Sequence, residues 1–68
     1  MQTIPNRSRH EIAACIDSWI FSERNRRLLQ RRLLDGVTLE KIAAEFELSP
    51  RHVNTLVKRG IETIRAHI

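Results

Sequence analysis

Apolar residues recur along this chain at helical spacing, and capping or turn residues break the recurrence into segments. Ile12, Ile16, Trp19 and Ile20 stand at i, i+4, i+7 and i+8, flanked by Ala13, and Ser8 with Glu11 precede them in the S-x-x-E arrangement of a capping box. The spacing predicts a first helix that buries this stripe against the last helix, with Trp19 as a core anchor and Cys15 as a small hydrophobe at the edge of the stripe. Ser22 is placed to cap a second helix running to about Leu34, with Leu28, Leu29, Leu33 and Leu34 inward and arginines outward. Asp35-Gly36 then supplies a left-handed residue that ends it.

Thr38 caps a third segment in which Leu39, Ile42, Ala43 and Phe46 fall at i, i+3, i+4 and i+7. Glu47, Leu48 and Ser49 interrupt the period, and Ser49-Pro50 restarts it as an N-cap followed by proline at the first helical position. Val53, Leu56 and Val57 form the stripe of a fourth helix, which Ile61, Ile64 and Ile68 carry on to about His67. Gly60 interrupts that helix. It reads either as close packing against the first helix or as a bend that ends the segment, and a helix interior pays about 1 kcal/mol for it relative to alanine.

The predicted fold class is therefore all-α, a small four-helix bundle, or a five-helix one if the chain breaks at Gly60. It contains a helix-turn-helix over residues 38–59, with small Ala43 where the helices approach and Leu48 pointing from the turn into the core. Residues 1–7 read as a flexible basic N-terminal arm, and 8–68 as a single domain.

Composition narrows what such a bundle does. The chain has 68 residues, 41% of them hydrophobic, with one tryptophan and two phenylalanines, so aliphatic residues must fill the core. Its net charge of +4 suits a polyanionic partner. Arg24, Arg26, Arg27, Arg31 and Arg32 face only Glu23 within the second segment, and from Arg51 onward four cations face Glu62. Glu40, Glu45 and Glu47 gather the negative charge on the third helix, a face suited to a protein partner or to plain solvation.

Other chemistries lack their residues. One cysteine excludes an internal disulfide framework and no Cys/His cluster suggests zinc; no cofactor or metal is expected. His10, His52 and His67 are far apart, with no converging acidic or cysteine partner for catalysis, so an enzyme is not expected. No signal peptide or long apolar run is present, and a cytoplasmic protein is expected.

The stretch TLEKIAAEFELSPRHV resembles the region-four DNA-binding module of bacterial sigma factors, and SERNRRLLQRRLLDGV resembles the helix that leads into it. The likeness covers Ser22 to about Ile64. LuxR-type regulators share a similar layout, so the motif marks the wider superfamily. Two departures from the sigma pattern stand out. Glu47 stands where the turn usually begins with glycine, and Pro50-Arg51 with Asn54-Thr55 stand where housekeeping sigma factors have Arg-Glu and Arg-Gln. Promoter specificity is therefore not transferred. The resemblance implies a module that reads an upstream promoter element and touches RNA polymerase. The expectation is a lone module, a fragment or a small phage-type or mobile-element regulator rather than a complete sigma factor.

On this reading the fourth helix enters the major groove of double-stranded DNA. Arg51 is the first candidate for a base contact, with Asn54, Thr55 and His52 beside it, and Lys58, Arg59, Arg26, Arg27 and Arg31 are candidates for phosphates. The competing reading is a protein-interaction domain that binds RNA polymerase or itself with little DNA affinity. A homodimer through the C-terminal helix would need Ile61, Ile64 or Ile68 exposed.

Overall fold

A computed structural model describes residues 8–67. Among these are four helices and no strand: α1 (Arg9–Trp19), α2 (Glu23–Leu29, continued by a π-helical segment Gln30–Leu34), α3 (Leu39–Phe46) and α4 (Pro50–His67). The N-terminal arm predicted for residues 1–7 lies outside the described residues, as does Ile68.

Each helix begins at the side chain the sequence marks. Ser8 Oγ accepts from the Glu11 amide at 3.2 Å, and the Glu11 carboxylate accepts from the Ser8 amide at 3.4 Å, completing the capping box of α1. Ser22 caps α2 through the Asn25 amide, and Thr38 caps α3 through the Lys41 amide, both at 3.3 Å. Ser49 Oγ accepts from the His52 amide at 3.1 Å at the head of α4.

The core gathers Ile16 and Ile20 from the α1 end, Leu28 and Leu29 from α2, Ile42 and Ala43 from α3, and Val53, Val57 and Ile64 from α4. Cys15 joins it, its Sγ 3.9 Å from the Ile64 carbonyl oxygen, and burial pushes its thiol pKa up, away from the reactive thiolate. α1 packs on α4 as the stripe predicts. α4 runs unbroken through Gly60, so the bundle has four helices rather than five.

Three expectations change. Trp19 is not a core anchor: it is 43% exposed, and its ring stacks on His67 with centroids 3.8 Å apart and planes 16° from parallel. The helix ends at Trp19 itself and Ile20 is extended, so the indole lies over the last turn of α4 rather than inside. Gly60 packs most closely against Leu29 of α2. Leu33 and Leu34 are half-buried rather than fully inward. They lie in the π-helical segment, where the Asp35 amide reaches back five residues to Gln30 and the Val37 amide six to Arg31. Gly36, with φ of 69°, makes the left-handed exit.

Candidate nucleic-acid interface

The turn between α3 and α4 sets how α4 is presented. At the end of α3 the Leu48 amide donates to the Ala43 carbonyl at 2.9 Å and the Glu47 amide to the Ala44 carbonyl at 3.4 Å, the paired bonds of a Schellman motif. That motif needs a left-handed residue, and Glu47 takes it with φ of 57° and ψ of 43°, the only non-glycine positive φ among the described residues. Leu48 packs on the core as the turn closes. Ala43, only 3% exposed, leaves room for α3 and α4 to pack closely.

This arrangement divides α4 into two sides. Val53, Val57, Gly60 and Ile64, at i, i+4, i+7 and i+11, are buried. Arg51, Thr55, Lys58 and Glu62 repeat the same spacing on the opposite side and are exposed. His52 and Arg59 are exposed along one margin of this outer stripe, and Asn54 is half-buried along the other. All four candidate base-contact residues thus lie in the first turns of α4, outside the core. Thr55 Oγ1 donates to the Arg51 carbonyl at 3.2 Å.

The arginines of α2 do not form one uniform solvated strip. Arg31 is held by α3: its Nε donates to Glu45 Oε1 at 3.0 Å, its Nη2 donates to Oε2, and its Nη1 lies 3.5 Å from Asp35. The hydrogen bonds from Arg31 hold the Glu45 carboxyl below the usual carboxylate range and raise the Arg31 pKa in turn. Arg26 Nε donates to the Ile20 carbonyl at 2.5 Å, closing the α1–α2 corner, and Arg32 Nη1 donates to the Val37 carbonyl at 3.0 Å. Arg9 reaches the Leu34 carbonyl from α1. Arg27, Lys58 and Arg59 are exposed, and their cationic groups have no partner among the described residues.

The helix pair, its turn and the helix leading into it coincide with the span of a family model: sigma-70, region 4, matches residues 21–66. The chain belongs to the sigma-70 region 4 family. No curated protein and no solved structure matches it. Region 4 is a helix-turn-helix DNA-binding module whose members bind DNA and RNA polymerase. In this region 4 domain the matched span takes in α2, the π-helical segment, α3 and nearly all of α4, and α1 lies outside it. α1 nonetheless supplies Cys15 and Ile16 to the same core, so it helps to hold the region 4 helices.

Sequence reasoning missed the Arg31–Glu45 pair and the Trp19–His67 stack. Their partners are 14 and 48 positions apart, and no local signal marks either. Of the α4 residues considered for a dimer, Ile64 is fully buried and Ile61 is half-buried against the core, while Ile68 lies outside the described residues. No helix among the described residues is long and apolar enough to cross a membrane.

Proposed function

We propose that this chain is a sequence-specific DNA-binding module acting in transcription, which reads the major groove with the first turns of α4. The observation that carries the reading is the outer stripe of that helix. Its hydrogen-bonding side chains Arg51, Thr55 and Lys58 stay exposed while every apolar residue on the far side packs into the core. The N-terminal turns of such a helix come nearest the base edges. Arg51 contacts a base, guanine by the geometry of its fork, with Asn54, Thr55 and His52 alongside. Lys58, Arg59 and Arg27 bind phosphates with heads that have no partner among the described residues. Arg26 and Arg31 act mainly by holding the second helix in place, because their guanidinium groups already serve Ile20, Glu45 and Asp35.

Contact with RNA polymerase is the second part of the proposal. Family membership supports it, as does exposed apolar surface at the α1–α2 corner, where Phe21 is 79% exposed beside Trp19.

Selection of bound duplexes from a random pool, at roughly physiological salt where non-specific phosphate binding is suppressed, tests the reading. An enriched motif that is lost or relaxed at one position in Arg51→Ala supports it. A folded chain that enriches nothing points instead to an interaction domain working through protein contacts.

A further inference from the structure

The outer stripe of α4 carries a polarity that its residue types alone do not reveal. Thr55 lies in the middle of that stripe, four residues after Arg51 and three before Lys58, and it is exposed. Its Oγ1 is 3.2 Å from the Arg51 carbonyl oxygen. A carbonyl oxygen only accepts, so the threonine hydroxyl commits its single proton to the helix backbone. What remains to face outward is a pair of lone pairs and a methyl group. Thr63 makes the same bond to the Arg59 carbonyl at 3.1 Å, but it is half-buried and off the outer stripe.

In the major groove, adenine N6 and cytosine N4 present amino donors, whereas guanine O6 and N7 and thymine O4 present acceptors. We propose that Thr55 is a specificity-determining residue that accepts from the amino group of adenine or cytosine and disfavours guanine and thymine on the strand it faces. The inference rests on the DNA-reading function proposed above and gives that site its chemistry. A lone pair set against guanine O6 or thymine O4 is repelled, and turning the hydroxyl outward to donate breaks the bond to Arg51. Arg51, one turn earlier, has only donors and selects acceptors. The two positions are about 6 Å apart along the helix axis, roughly two base steps of 3.4 Å. The pair therefore reads opposite polarities at nearby base pairs, a guanine and then an adenine or cytosine.

The test is selection from a random duplex pool with the wild-type chain, Thr55→Val and Thr55→Ser, with thermal unfolding of each. Valine keeps the shape and loses the acceptor; serine keeps the hydroxyl and its bond to the backbone. The expected result is a wild-type motif with adenine or cytosine enriched about two base steps from the Arg51-dependent guanine. Thr55→Val loses that one preference by roughly fivefold, the worth of one neutral hydrogen bond, and Thr55→Ser retains it. Every other position of the motif stays unchanged, as does the salt dependence. A motif that the wild type and Thr55→Val share in full overturns the acceptor assignment and leaves the DNA-reading function standing. So does a Thr55-dependent preference for guanine or thymine. No motif from a folded wild-type chain overturns the DNA-reading function and the assignment with it.

Discussion

Gly60 and Leu29 interlock so closely that no side chain fits between them: a Cβ on Gly60 would lie 2.5 Å from Leu29 Cδ1 and 3.0 Å from Leu29 Cγ. Leu29 is 1% exposed, so its branches have little room to swing away. Two effects of a Gly60→Ala substitution oppose each other. Helix propensity favours alanine by about 1 kcal/mol, and overpacking a close-packed core costs about 1 to 3 kcal/mol. Overpacking wins, and Tm is expected to fall by about 4 to 8 °C for each kcal/mol lost in a domain of this size. In a Leu29→Ala background the same substitution should raise Tm, because the obstruction is gone. Thermal melts of the four proteins check this, and a higher Tm for Gly60→Ala alone would refute the packing argument.

Glu47 holds a left-handed conformation that glycine adopts freely. An L-residue there pays about 1 to 2 kcal/mol, while glycine gives back about 0.5 to 1 kcal/mol through the freedom of its unfolded chain. Glu47→Gly is therefore expected to stabilise the domain slightly, by roughly 0.5 kcal/mol, and Glu47→Val to destabilise it. Urea titrations should order the three proteins Gly, Glu, Val in falling midpoint.

Arg31 and Glu45 link the end of α2 to the first helix of the helix-turn-helix, and the link depends on pH. The Glu45 carboxyl is lowered in the folded chain, so its contribution is present above the unfolded carboxylate pKa and is lost as pH falls through the folded value. The stability advantage of the wild type over Glu45→Gln should hold near neutrality and vanish in acid below the ordinary carboxylate range. Salt should shrink it too, since the pair is exposed. A difference between the two proteins that is flat with pH would mean the contact is not formed in solution.

The unengaged cations and the engaged ones should behave differently toward DNA. Lys58→Ala, Arg59→Ala and Arg27→Ala are each expected to reduce the slope of log affinity against log salt by about 0.9 without changing base preference. Arg31→Ala should alter that slope much less, because Glu45 and Asp35 already neutralise its charge. Glu62 shares the outer stripe with Lys58, and Glu62→Gln should strengthen binding to any sequence at low salt by relieving repulsion from phosphates. Fluorescence anisotropy across a salt series measures all five.

The sequence by itself determined the features whose causes act within a few residues. The serines and threonine that cap α1 to α4 bond amides three positions on, the left-handed exits at Gly36 and Glu47 close turns of their own chain neighbourhood, and helical periodicity separates Val53 and Val57 from Arg51 and Thr55. Those local interactions were enough to place a helix-turn-helix and its outward-facing residues. Only the tertiary structure decided which side chain meets which across the bundle. Periodicity put Trp19 on the apolar side, but α1 stops there and the indole is left stacked on His67. Gly60 announced a close approach without naming Leu29 as the residue approached. Five arginines in one segment looked equivalent, yet Glu45, Ile20 and Val37 engage three of them and leave Arg27 exposed with no partner among the described residues. The physical reason is one of range. Caps and helical faces follow from backbone geometry over three or four residues, whereas pairings between helices follow from how their ends and surfaces pack once the whole chain has closed on its core.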